Sequence, residues 1–386
     1  MLGRPTQRNR VSNVLDATPV LFVVLFTHQA IGGDVTIADI QEQWNQRQTE
    51  VQSFLFTWRA TRFDRAGALT NPFSTDPGKR VPEADKYTDF QRSLLYDRGN
   101  IRVTDTGEYY GRINNGTDEF RHTDITYTWN GSHYNEFHNS EEYFPSGSIS
   151  GDESSCFTDA QFTWILKAMC AKSPDRIDLN RYRVSSKPSM NGEEHMVLTK
   201  KKVLAVDIAE IWVEPTPPYL VRRLVTKAGG VTAGWTEISY RVDDVSQKMI
   251  PKSMKYVYLG PDGGYQNVIE SEVVSSTLNP VTHSGDFEVS FPVGSLVADF
   301  SVSPKEMYIL KEGGEKRTVT DDEKLRGATY DELLESESGE AGTSRQPSSS
   351  AGPLRWILLV GNGLLVACVT VYLLRRRAYA NSAVHG

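Results

Sequence analysis

The stretch that most constrains this chain is near its end: "LRWILLVGNGLLVACVTVYLLRRR", residues 354–377. As a helix, the uncharged run from Trp356 to Leu374 rises about 28 Å, close to the hydrocarbon thickness of a bilayer. Arg375, Arg376 and Arg377 follow at once, and Trp356 and Tyr372 flank the run. Positive residues mark the cytoplasmic side. The expectation is one C-terminal transmembrane helix, with the bulk of the chain outside the cell membrane and the 375–386 tail in the cytoplasm. A buried core helix is the alternative, and the length of the run and the linker beside it argue against that. Asn362, Gly363 and Ala367 suit either helix pairing or a lipid-facing surface.

An exported body needs a leader. Arg4, Arg8 and Arg10 form a basic region, "TPVLFVVLF" is a short apolar core, and small residues lie between Ala30 and Gly33. This is the order of a signal peptide, assigned to residues 1–33. Residues 34–330 are then an extracytoplasmic (periplasmic) body, large enough for one big domain or two modest ones. From residue 331 the composition turns acidic and then rich in Ser, Gly and Pro, which reads as a flexible stalk over 331–355. With 42 basic against 49 acidic residues and no basic stripe, nucleic-acid binding is not expected.

The body itself reads as α+β. Ile37, Ile40, Trp44 and Val51 recur on one helical face, with Thr36 and Asp39 suited to the first turn. Strand-like segments follow from "SFLFTWRATRF". In "TDITYTWNGSHYNEF" alternation is strict, and Asn130-Gly131 predicts a two-residue hairpin turn. "FPSGSISGDESS" (144–155) reads as a flexible break, followed by a helix over Thr158–Cys170. Together, 144–180 form an inserted loop and helix. Strands resume near Arg181 and continue to "YQNVIESEVVSS", with "GPDGG" as a turn.

Cys368 lies in the span, leaving Cys156 and Cys170 outside. They are a candidate disulfide, worth roughly 3 kcal/mol for so short a loop, with two unpaired thiols an equal alternative. Asn115-Gly-Thr and Asn130-Gly-Ser fit a glycosylation pattern that matters only in a eukaryotic secretory route. No motif asks for a metal or a cofactor. His133 and His138 are five apart, so they face opposite sides of a strand, and exposed hairpin histidines are expected. His122, His195 and His283 read as surface residues. Ser148 and Ser150 are off the centre a serine nucleophile needs. An enzyme is the minority reading.

"WTEISYRVDDVSQKMIPKSMKYVY", "TLNPVTHSGDFEVSFPVGSLVADF" and the opening helix before "FLFTWRA" resemble the LolA-like, lipoprotein-sorting superfamily. The arrangement is similar to that of membrane-anchored secreted proteins of planctomycete-type bacteria. The resemblance implies a curved antiparallel sheet, an unclosed barrel with helices on its concave face, around an apolar cleft for lipid or lipoprotein acyl chains. On such a fold the inserted helix becomes a lid, with Phe162, Trp164, Ile165, Leu166 and Met169 lining the cleft. Filled by those same side chains, the domain would instead be an envelope scaffold or sensor that binds another protein.

Overall fold

The computed structural model describes residues 35–335, except 70–80, 111–119, 141–142, 152–159, 174–175, 187, 191 and 204–205. The chain divides into two compact units, Met1–Val35 and Thr36–Gly386, and every element below belongs to the second. The leader, Cys156, Asn115, Thr158 and the Trp356–Leu374 run lie outside the described residues. Among the described residues no helix is long and apolar enough to cross a membrane.

Helix α1 (Ile37–Glu50) begins where its cap chemistry dictates. The Thr36 hydroxyl accepts from the Asp39 amide at 3.3 Å, and the Thr36 amide donates to the Asp39 carboxylate at 2.8 Å. This reciprocal pair satisfies two of the donors a helix start leaves open. Six strands then run as a meander: β1 (Ser53–Asp64), β2 (Lys86–Asp97), β3 (Asn100–Tyr110), β4 (Phe120–Trp129), β5 (Tyr134–Ser140) and β6 (Tyr143–Ser150). Helix α2 (Ala160–Ala168) interrupts. Next come β7 (Tyr182–Ser186) and a small hairpin of β8 (Ser189–Met190) and β9 (Glu193–Glu194). A second meander follows: β10 (Met196–Lys200), β11 (Val206–Val213), β12 (Val221–Ala228), β13 (Val231–Val242), β14 (Met249–Leu259) and β15 (Tyr265–Leu278).

The two meanders join because β15 pairs antiparallel with β1. Residues 279–295 then cross to the far edge of the first meander. There β16 (Leu296–Asp299) adds parallel to β6, followed by β17 (Glu306–Leu310) and β18 (Lys316–Thr318). The result is one unclosed sheet of 16 strands, β18-β17-β16-β6-β5-β4-β3-β2-β1-β15-β14-β13-β12-β11-β10-β7. The expected coarse architecture, strands in a single unclosed sheet with few helices, is what the structure shows.

Alternation fixes which face is buried. Along β1, Phe54, Phe56, Trp58 and Ala60 are buried while Leu55, Arg59 and Thr61 are exposed. Their register partners Tyr96, Leu94, Arg92 and Phe90 on β2 are buried too. The interior therefore contains charge. Arg92 and Asp105, cross-strand partners with fully buried side chains, pair at 2.9 Å, and the Tyr109 hydroxyl donates to Asp105.

Several sequence expectations are corrected. The 144–155 break is in its first half strand β6, held by pairing with β5 and with β16. The stalk does not begin at 331, because a third helix, α3 (Tyr330–Glu335), buries Leu333 against Ile309 and Val319. The Asn130-Gly131 turn is a four-residue loop, since Trp129 pairs with Tyr134. Asn130 Oδ1 accepts from the Ser132 and His133 amides at 3.1 and 2.9 Å, and of the two only Gly131 has positive φ. The Asn side chain does the turning there, as in an Asx turn. His138 is buried, on the same face as Ile125, and its Nε2 lies 2.5 Å from Glu136. His195 is also buried, whereas His122, His133 and His283 are exposed.

Candidate functional site

The inserted helix packs against α1 and the sheet through buried side chains. Trp164, Ile165, Leu166 and Met169 are between 0% and 3% exposed. Trp164 meets Trp58 of β1 edge-to-face, with ring centroids 6.0 Å apart. The Trp44 indole donates to the Tyr219 carbonyl at 3.0 Å, and Arg47 donates to the Met249 carbonyl at 2.5 Å and to the Met169 sulfur at 3.3 Å. Gln48 donates to the Cys170 carbonyl at 2.5 Å. These bonds tie both helices to each other and to the second meander. Phe162 is on α2, but its side chain lies outside the described residues.

The helix ends in a Schellman motif. Cys170 adopts φ +56°, its amide donates to Lys167, and the Ala171 amide donates to Leu166. Cys170 carries a free, buried thiol, pushed up to about 12 by burial. Its proposed partner Cys156 falls outside the described residues. Of the predicted lid residues, Leu166 touches a groove of about 290 Å³ between α1 and the segment after α2. That groove is walled mainly by polar groups such as Gln41, Asn45, Lys172 and Asp178. The described side chains of the helix, Trp164, Ile165, Leu166 and Met169, are instead buried against the protein.

A larger concavity, about 810 Å³, opens on the other face of the sheet. Register places its walls. Ser239, Ser253, Glu272 and Arg59 are successive cross-strand partners, forming one row across β13, β14, β15 and β1. Two residues along, Glu237, Lys255, Glu270 and Thr61 form the next. Charges in these rows are matched. Lys255 bonds Glu270 at 2.7 Å, Arg223 approaches Glu237 at 3.6 Å, and Arg59 faces Glu272 across the β1–β15 ladder. The hydrogen bond to Glu270 holds Lys255 above its ordinary pKa. Ser239 and Ser253 hydroxyls bond each other at 2.6 Å.

The β8–β9 hairpin walls one side of this groove with Met190, Glu193 and His195. The His195 ring is fixed by a 2.9 Å bond from Nδ1 to the Glu193 carbonyl oxygen and by Trp212, 6.4 Å away. Sequence reasoning missed this face. Its signal was present in the alternating charges of "WTEISYRV", "KSMKYVYL" and "VIESEVV", but only register brings those residues into rows.

No family model matches the chain, and no curated protein matches it. Among solved structures it is similar to PNGF-II at 8% identity with a TM-score of 0.21. The match covers 64% of this chain and 31% of that one, and so low a score carries no argument about fold or function.

Proposed function

We propose that this protein is a membrane-tethered extracytoplasmic recognition module that works through the face of its sheet opposite α1 and α2. The single observation behind this reading is the contrast between the two faces. The helix side is filled by Trp164, Ile165, Leu166 and Met169, while the other face carries an open, polar groove. Concave sites with convergent polar groups are where ligands and partners are held. Of the two roles set out from the sequence, the filled helix side supports the scaffold or sensor over the acyl-chain carrier. The tether rests on the Trp356–Leu374 run and the arginines after it.

Carboxyl footprinting tests the reading. Carbodiimide labelling of Glu237, Glu270 and Glu272 is compared between intact cell envelopes and the purified full chain. Asp321, whose side chain is 92% exposed, serves as the reference. The groove carboxylates are expected to be protected in envelopes relative to Asp321. Equal labelling in both preparations would contradict a recognition role for this face.

A further inference from the structure

We propose that the groove binds a neutral glycan, laid across β13, β14, β15 and β1. This rests on the reading that the face opposite α1 and α2 is the recognition surface. Three adjacent rows on that face carry the proposal. The first is Trp235, Val257, Val268, Phe63 and Tyr87, each the register partner of the next. The second runs from Glu237 to Thr61 and the third from Ser239 to Arg59, as above. Neighbouring rows are two residues apart, about 7 Å. The first row lies beside the groove rather than in its wall, and Val257 within it is fully buried, so sugar rings on the second and third rows meet hydrogen-bonding groups while the exposed rings of Tyr265 and Tyr87 flank them.

The aromatic end is accessible. Tyr87 is 70% exposed and Tyr265 is 56% exposed, with the Tyr265 ring 6.3 Å from that of Trp235. Trp and Tyr combine a large apolar face with a polar edge, which matches the C–H face and hydroxyl rim of a pyranose. The polar rows select against charge. A phosphate or polyanion would meet Glu237, Glu270 and Glu272, and an ammonium or polycation would meet Arg59, Lys252 and Lys255. Because Lys255 pairs with Glu270 and Arg223 with Glu237, the wall offers donors and acceptors with little net field. Hydroxyl groups, which both donate and accept, suit such a wall. A charged group binding at Lys255, Glu270 or Glu237 would have to break a pair.

The experiment is titration of the full chain, in a detergent without a sugar headgroup, with neutral hexasaccharides of glucose, N-acetylglucosamine and mannose. Tryptophan fluorescence and calorimetry are the readouts. Saturable binding to at least one of the three is expected, and its affinity should hold between about 0.05 M and 0.5 M salt, as fits a neutral ligand. Trp235→Ala and Glu270→Gln should each weaken binding by about tenfold or more. Tyr87→Ala, at an exposed position, should do the same with an unchanged melting midpoint. No binding to any of the three, affinity that collapses with salt, or indifference to both aromatic variants would overturn the glycan assignment. If the titration fails while the groove carboxylates are protected in envelopes, the glycan falls and a protein occupant takes its place on the same face. If both fail, the recognition reading falls with it.

Discussion

Gly147 shows how tightly single residues are constrained. A Cβ there would lie 2.2 Å from the Phe291 ring and 2.8 Å from the Glu136 carbonyl oxygen. The crossing segment 279–295 thus lies against β6 at a point only glycine permits. Gly147→Ala is expected to destabilise the protein by about 1–3 kcal/mol, the usual cost of overpacking. Phe291→Ala should recover part of that loss but not all, because the Glu136 carbonyl is backbone. Full additivity of the two changes in a denaturant cycle would contradict the contact. The buried Arg92–Asp105 pair makes a second prediction. Asp105→Ala takes a buried ionic partner from Arg92, at a cost of about 3–5 kcal/mol in urea unfolding. A change below about 1 kcal/mol would mean that this face is wet.

The pKa directions act at the same scale. Burial raises the Cys170 thiol from 9.0 to about 12 and the Tyr96 phenol from 10.0 to about 12, and raises Tyr240 as well. Each group is held neutral in the fold and ionises more easily in the unfolded chain. Stability from this source is complete below pH 9 and is lost as pH rises from 9 towards 12. Urea midpoints should therefore be level from pH 7 to 9 and fall between pH 9 and 11, less steeply in Cys170→Ala. A profile flat to pH 11 would contradict the burial.

At the scale of elements, α1 was legible in the sequence down to its cap, because capping boxes and helical periodicity are local signals. The strand series was legible for the same reason. The Asn130-Gly131 loop was legible as a hairpin but not as a four-residue turn, since Asn side-chain bonding competes with the two-residue form. Gly131→Val still places a β-branched residue at φ +88° and should cost about 1–3 kcal/mol. Strand β6 was hidden because "PSGSIS" has loop composition, and its strand state comes from partners on both edges, one of them β16, roughly 150 residues downstream. The helix behind the lid assignment is present as α2, but Thr163, Lys167 and Ala168 are buried as well as Ile165, Leu166 and Met169, so burial marks no single inward face. What the pattern could not show was whether space remained beneath it, which depends on long-range contacts such as Trp164 on Trp58.

At the scale of the whole molecule, the two faces divide the labour. One holds the helices and the hydrophobic core, and the other holds the charge rows that the pairing of β1 with β15 assembles from opposite ends of the chain. Helix α2 belongs to the core. Hydrogen exchange at the amides of Trp164 to Ala168 in the purified full chain tests it most directly, because core elements exchange only through large-scale opening while mobile lids exchange locally. Protection of these amides should match that of β1 and β15. Exchange of α2 within minutes while β1 and β15 stay protected would contradict it, and would restore the lid over an apolar cleft.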